Sequence, residues 1–157
     1  KPGIVAKITT ALYSAGAQLG EASMMRLGGN FTIMLMVKSD QSIEQLNHSI
    51  EQVVNELHLH SSFQSIEAHL YQHEIPDTRI TIYGADRPGI VAQATTHLLQ
   101  AGFNIMDLGS DVAGDAADPI YIMQIEGITS NGTQSLDNAV EQIKSDGVNI
   151  DVSAIDV

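Results

Sequence analysis

Apolar residues are spaced in two ways along this chain, and each spacing predicts one type of element. Between Arg79 and Tyr83, isoleucines occupy every second position, which predicts a strand with one buried face. After a turn, apolar residues recur every three or four positions from Ile90 and stop at Gly102. This second spacing predicts an amphipathic helix that ends at a glycine.

The same two spacings recur along the rest of the chain and predict its other elements. In the first half these are a helix over 4–15, strands over 19–27 and 30–37 joined by Gly28-Gly29, a second helix, and a strand over 65–71. The second helix follows the capping-box pair Ser42 and Gln45, and its inward residues are Ile43, Leu46, Ile50, Val53 and Leu57. In the second half the further elements are strands over 104–113 and 119–126, a helix with Leu136, Val140 and Ile143 inward, and a strand over 149–156. Each unit of this order contains one hairpin between two helices.

The chain also contains an internal repeat. The segment that begins at Pro2 recurs at Pro88, and ten of the fifteen positions from Pro2 to Gly16 are identical to their partners 86 residues later. Farther along, Ile33-Met34 matches Ile122-Met123 at an offset of 89, and the second helices match at 90. The two halves therefore share one fold, and the second half has a longer hairpin loop.

The repeated order predicts an α+β protein with two ferredoxin-like (βαββαβ) units, each an antiparallel sheet with helices on one face. Residues 1–71 form the first unit, the polar segment 72–77 is a linker, and 78–157 form the second unit. The first unit starts at its helix, so we expect its first strand in roughly ten residues upstream of Lys1, because the sheet would otherwise keep an open edge.

Charge and composition exclude several classes of function. Nineteen acidic residues against seven basic ones give a net charge of −12, which would repel a phosphate backbone, so direct nucleic-acid binding is not expected. No apolar run approaches the roughly 20 residues of a membrane-spanning helix. The chain has no cysteine, hence no disulfide and no thiolate ligand, and a cytoplasmic location is the default expectation.

One motif carries a family resemblance. Asp86-Arg-Pro-Gly-Ile-Val91 follows a short strand and Asn104-Ile105 opens the next one, and this pattern resembles the ACT domain, a small regulatory module with this order of elements. Two such units without a catalytic domain resemble the family of the glycine cleavage system transcriptional repressor. Similar stretches occur in the ACT regions of formyltetrahydrofolate hydrolases and of signal-transducing uridylyltransferases, so the resemblance indicates the module more than the pathway.

The motif is also a chemically reasonable amino-acid site. Backbone N–H groups near Pro88 and Gly89, with the positive end of the helix dipole, would bind a carboxylate. Asp86, which also stands with Arg87 where the helix N-cap is expected, could hold an ammonium group, and Asn104 could contact the same molecule from the next strand. The resemblance implies that such ligands lie between two ACT units. The candidate ligand-binding residues are Asp86, Arg87, Pro88, Gly89, Ile90, Asn104 and Ile105 in the second unit, and Pro2, Gly3, Ile4 and Gln18 in the first.

The same residues also permit a purely structural interpretation. Asp86 would then cap the helix, Pro88 would stiffen its start, and Gly89 would relieve crowding. In the first unit, Gln18 replaces the asparagine and the counterpart of Asp86 would precede Lys1. A complete site is therefore expected in the second unit before the first.

Histidines and methionines are the other residue types with candidate roles, in metal binding and in core packing. His58 and His60 would lie on one side of a strand, and His69 and His73 are four residues apart, but no cysteine or clear carboxylate completes a zinc set, so we expect neither a metal site nor a cofactor. The six methionines fall in predicted strands, where we expect most of them to pack in the core.

Taken together, the sequence predicts a regulatory protein rather than an enzyme. It contains no phosphate-binding loop, no nucleophile elbow and no His-Glu-x-x-His motif. The expected function is a non-enzymatic amino-acid sensor, a transcriptional regulator or coregulator of amino-acid or one-carbon metabolism that acts through a protein partner such as a DNA-binding regulator. The alternatives are a ligand-free interaction or dimerisation module, including a homodimer, and a histidine-based metal-binding protein.

Overall fold

A computed structural model describes residues 2–67, 74–85 and 88–155 of the chain. The chain divides into two compact units, Lys1–Leu70 and Tyr71–Val157. The elements, in order, are α1 (Ile4–Ser14), β1 (Gln18–Leu27), β2 (Asn30–Lys38), α2 (Ile43–Leu57), β3 (Thr78–Ala85), α3 (Ile90–Gln100), β4 (Phe103–Asp115), β5 (Asp118–Thr129), α4 (Thr133–Ser145) and β6 (Asn149–Ala154). The predicted α+β class is confirmed.

The second unit contains the complete βαββαβ order. Its sheet has the strand order β4-β5-β3-β6, and each neighbouring pair is antiparallel. Alternating residues of β3 and β5 form the core with residues of α3 and α4, which cover one face of the sheet. The fully buried side chains of this core are Ile80, Ile82, Leu98, Met123, Ile125 and Ile143. The period-2 and helical spacings of the sequence therefore correspond to the two layers of this unit.

The first unit shows the matching order α1, β1, β2, α2, with β1 and β2 forming an antiparallel hairpin. Ile8, Leu12, Leu46 and Ile50 form its buried core. The capping box is confirmed, because the Gln45 N–H donates to Ser42 Oγ at 3.2 Å and the Ser42 N–H donates to Gln45 Oε1 at 2.9 Å. Ile43, expected inward, is 40% exposed at the first position of α2.

Two predicted segments at the end of the first unit differ from the structure or lie outside it. Residues 65–67 of the expected strand 65–71 form no strand, and the rest of that segment lies outside the described residues. His58 was expected in a strand with His60, but it is the C-cap of α2 with φ +55°. A left-handed residue breaks the period-2 alternation, so these two imidazoles do not share a strand face.

Each hairpin has one β-bulge in its first strand, and the two bulges lie at equivalent positions, so the two hairpins have the same register. An irregularity follows Leu19 in β1 and Ile105 in β4, and each hairpin then turns over two residues. Leu19 pairs with Val37, whereas Ile105 pairs with Gly127, so the offset between the units is 90 throughout β2 and β5. The sequence match at offset 89 is therefore wrong as a structural alignment.

Methionine burial confirms this correction. Met34 is 74% exposed, whereas Met123, its partner at offset 89, is fully buried. A one-residue slip moves every side chain to the other face of a sheet, so these two residues cannot be equivalent. The expectation that most methionines pack in the core is also wrong, since Met24, Met25, Met34 and Met106 are exposed. These methionines lie on surfaces that the helices leave uncovered.

Candidate functional site

Both units begin their first helix with a glycine in the left-handed conformation. Gly89 precedes α3 with φ +85°, and Gly3 precedes α1 with the same φ. The N-cap is therefore Gly89, and the predicted N-cap at Asp86 or Arg87 is wrong. Pro88 lies one residue before the cap, in the turn, rather than in the first helical turn. A residue with a Cβ would be strained at this φ, which explains the repeated glycine.

The space above each of these glycines is open. A Cβ added at Gly89 or at Gly3 would meet no atom within 4 Å, and a glycine cap has no side chain of its own to accept from the first helical turn. The Gly89 carbonyl accepts from the Gln93 N–H at 2.9 Å, and the Gly3 carbonyl accepts from the Lys7 N–H at 3.0 Å. The N–H groups of the first turn thus have no acceptor within the helix and lie at the positive end of its dipole.

The isoleucine after Gly89 fixes the start of α3 to the core. Ile90 is buried with the side chains of the second unit's core, whereas its counterpart Ile4 is half-buried. Because the Ile90 side chain packs in the core, its backbone N–H is the part of this residue that is available to a ligand at the helix start. Pro2, Gly3, Pro88 and Gly89 are exposed. Asp86 and Arg87 lie outside the described residues, so the predicted ammonium partner stays a prediction.

Asn104 and Ile105 lie at the other end of the second unit. Asn104 is exposed near the start of β4, four residues after α3 ends, and Ile105 packs against the core. The eleven residues of α3 span about 16 Å. Asn104 therefore cannot contact a small molecule held at Gly89 of the same unit, and the structure does not bring these two candidates together.

The Asn104 backbone lies close to Gly127 of the neighbouring strand β5. A Cβ at Gly127, across from Ile105, would collide with the Asn104 carbonyl oxygen and would lie 2.8 Å from the Phe103 ring. Glycine at 127 thus permits the close approach of the two strands. Nothing in the local sequence indicated this requirement, because the collision arises from residues more than twenty positions away.

Gln18 lies beside an open hollow in the first unit. The hollow has a volume of about 630 Å³ and is lined by Tyr13, Ser14, Gly16, Ala17, Gln18 and Leu19. It is at the C-terminal end of α1, so the whole helix separates it from Gly3, as α3 separates Asn104 from Gly89. Within each unit, therefore, the glycine at the start of the first helix and the polar candidate, Gln18 or Asn104, lie at opposite ends of that helix.

The residues that the structure describes show neither a metal centre nor a membrane helix. No group of three or more His, Asp or Glu side chains in these parts of the chain could hold a metal ion. His69 and His73 lie outside them. No described helix combines the length and the hydropathy that crossing a bilayer requires.

Comparison with known proteins decides the family. A family model described as the ACT domain matches residues 1–70. The UPF0237 protein of Methanococcus maripaludis is 38% identical over 74 residues, which cover 46% of this chain and 81% of that protein. The chain belongs to the ACT domain family.

Solved structures extend the ACT fold to the whole chain. A proposed glycine cleavage system transcriptional repressor matches with a TM-score of 0.77 and 15% identity, covering 100% of this chain and 92% of that one. An unknown protein from Galdieria sulphuraria matches with a TM-score of 0.75 and 21% identity, covering 99% and 92%. At these identities the likeness concerns the fold, and it confirms the tandem ACT arrangement.

The sequence placed Gly3 and Gly89 among the candidate residues, but it did not identify them as the helix caps that they are. The search for an N-cap favoured a polar side chain, whereas Gly89 follows a proline and directly precedes the first apolar helical residue. Glycine is itself a common N-cap, and its recurrence at Gly3 in the repeat was the available signal.

Proposed function

We propose that this tandem ACT protein is a non-enzymatic amino-acid sensor that regulates transcription of amino-acid or one-carbon metabolism through a protein partner. One observation carries the proposal, namely the open, glycine-capped helix start that recurs at Gly3 and Gly89 with the same φ. First-turn N–H groups, which have no acceptor within the helix, and the helix dipole together favour an anion such as a carboxylate.

In this proposal the amino acid binds with its carboxylate at Gly89 and its ammonium group at Asp86. The opposite position of Asn104 supports a site that is completed by a second copy of the chain, whose Asn104 would reach the ligand held at Gly89 of the first copy. This arrangement agrees with the expectation of ligands between ACT units and with a homodimer. In the first unit, Gly3 and Gln18 occupy the positions of Gly89 and Asn104 and form a less complete site.

The transcriptional part of the proposal has separate support. A structure with the same tandem fold is described as a proposed glycine cleavage system transcriptional repressor. The chain itself carries a net charge of −12, which opposes binding to DNA, so a repressor of this kind would act on a basic DNA-binding protein. The sequence motifs for catalysis that we sought are absent, which supports a regulatory role over an enzymatic one.

The second candidate is an interaction module that binds no small molecule. Exposed apolar residues in both units favour it, among them Tyr13 on α1, Leu99 on α3 and Met34 on β2. Histidine-based metal binding has less support, because His58 caps α2 in a left-handed conformation.

A thermal-shift screen of the amino acids, with glycine and serine included, tests the proposal. At about 100 times its dissociation constant, a ligand that binds only the folded state stabilises it by about 2.7 kcal/mol, an increase of several degrees in Tm. Asn104→Ala and Asp86→Ala should remove the shift. The matched controls Asn149→Ala and Asp137→Ala, which change exposed residues elsewhere in the second unit, should keep it.

The same screen separates the candidates. If no amino acid at millimolar concentration raises Tm, the sensor proposal is wrong and the interaction module replaces it. A shift produced only by zinc, and lost in His58→Ala, would instead favour metal binding.

A further inference from the structure

The sheet of the second unit has a face that its helices do not cover. Along β3 and β5 the inward residues Ile80, Ile82, Met123 and Ile125 are fully buried, so their neighbours point to the opposite, outer face. The register places the outer residues in three rows across the sheet. These rows, from β6 to β4, are Ser153, Arg79, Glu126, Asp107; Asp151, Thr81, Gln124, Gly109; and Asn149, Tyr83, Ile122, Asp111.

The outer face is acidic. It carries the carboxylates of Asp107, Asp111, Glu126 and Asp151. Arg79 is the one cationic side chain in these three rows, all of which belong to the described part of the chain. Its Nε donates to Glu126 Oε1 at 2.8 Å and its Nη2 lies 2.7 Å from the same oxygen. The remaining charge of the face is therefore negative, and three of its carboxylates are exposed.

Apolar side chains lie at the end of this face where β3 ends. Tyr83 is 43% exposed, Ile120 at the end of the sheet is 42% exposed, and Ile122 is half-buried beside Tyr83. These residues form an apolar strip at one end of the face, with Asp111 and Asp151 beside it and the polar row of Thr81 and Gln124 behind it. Exposed apolar residues flanked by charged ones are the usual composition of a protein-binding surface.

Comparison of the two units shows that the fold does not require this composition. At the structurally equivalent positions the first unit keeps a carboxylate, Glu21, for Asp107, but it has Met25 for Asp111, Thr32 for Ile122, Met34 for Gln124 and Met36 for Glu126. The inward residues Leu35 and Ile125 are apolar in both units, whereas most of these outer positions differ in polarity. The acidic face is thus a property of the second unit that packing alone does not explain.

We infer that the outer face of the second unit's sheet binds a protein surface that presents lysine or arginine side chains around an apolar residue. Lysine and arginine would pair with the exposed carboxylates, and their aliphatic stems would cover Tyr83 and Ile122. The same face of a second copy would bring carboxylates against carboxylates, and a nucleic acid would be repelled in the same way. The inference rests on the proposed function only for its choice of a protein partner.

Fluorescence anisotropy with a labelled peptide of alternating lysine and leucine tests the surface. The face variant replaces Asp107, Asp111 and Asp151 by asparagine, which keeps side-chain size and removes three charges. We expect this variant to bind the peptide about tenfold more weakly at physiological salt. The three carboxylates contact the lysines of the peptide directly, and salt screens such short-range ion pairs less than long-range attraction. Ile122→Thr, which introduces the residue of the first unit, should weaken binding as well.

A control variant removes the same number of charges elsewhere. It combines Glu44→Gln, Asp137→Asn and Glu141→Gln, all exposed on helices. We expect its affinity for the peptide to fall less than about threefold, since only long-range attraction is lost. Equal losses in the two variants, or no binding of the peptide by the native protein, would overturn the inference.

The amino-acid screen on the same variants keeps the two proposals separate. The face variant should keep any ligand-induced rise in Tm, because it leaves the proposed ligand-binding residues Asp86, Gly89 and Asn104 unchanged. Selective loss of peptide binding without any amino-acid shift would contradict the sensor alone, whereas an amino-acid shift without selective peptide binding would contradict the surface alone.

Discussion

Alanine at Gly89 tests the helix start on which the proposed site depends. The φ of +85° costs an L-residue about 1–2 kcal/mol relative to glycine. The open space around the added Cβ means that no collision adds to this value. We therefore expect Gly89→Ala to lower the free energy of unfolding by about 1–2 kcal/mol through backbone strain alone.

A matched substitution isolates the strain. Gly109 in β4 also has open space around an added Cβ, but its φ is not positive. Because glycine is unfavourable within a strand, Gly109→Ala should be neutral or stabilising by up to about 1 kcal/mol. Gly3→Ala, at the same position and φ in the first unit, should behave like Gly89→Ala.

Urea denaturation followed by circular dichroism provides the measurement, with both variants compared at equal m-values. Asparagine tolerates the left-handed region better than alanine, so Gly89→Asn should recover part of the loss. If Gly89→Ala is as stable as Gly109→Ala, the left-handed cap is not present and the geometry of the proposed carboxylate site is wrong.

Three further outcomes follow from other parts of the structure. Ser42→Ala should lose about 1 kcal/mol of stability in the same denaturation experiment because it removes the capping box, whereas the exposed Ser61→Ala should change little; equal effects would exclude the cap as the cause. Gly127→Ala should destabilise by about 3 kcal/mol or more, since the Asn104 carbonyl and the Phe103 ring occupy the space of its Cβ, and a crystal structure with unmoved neighbours would contradict this reason. The purified protein should not shift a DNA fragment at physiological salt, and a steep salt dependence of binding to bare DNA would show several phosphate contacts instead.

Sequence spacing predicted the elements that local rules determine. Ser42 and Gln45 identified a helix start because a capping box depends only on two residues three positions apart. Ile80 and Ile82 identified a strand because one sheet face is buried beneath helices. The repeat then predicted that both halves share one fold, and the motif at Pro88 indicated that this fold is the ACT domain.

Features that depend on distant residues could not be predicted in this way. The exposure of Met34 depends on which face of the hairpin the helices cover, and an alignment one residue in error reverses that face. The separation of Asn104 from Gly89 depends on a helix lying between them, whereas the sequence alone made them look like neighbours. The need for glycine at 127 arises only when β4 and β5 pair.

The difference in length between the two hairpins has a geometric explanation. Both hairpins turn over two residues, and such turns close an antiparallel pair that exchanges both of its hydrogen bonds. Pairs of this kind recur at every second position along a strand. A hairpin that keeps a two-residue turn closed by such a pair can therefore lengthen only in steps of two residues per strand. The offset between the units rises from 86 before the hairpin to 90 after it, which is one such step. The turns themselves differ, since Gly28 and Gly29 have positive φ whereas Ala116 and Ala117 do not, so the shared property is the two-residue length of the turn. Four added residues, two in each strand, are the smallest change that lengthens this ribbon and keeps that length of turn.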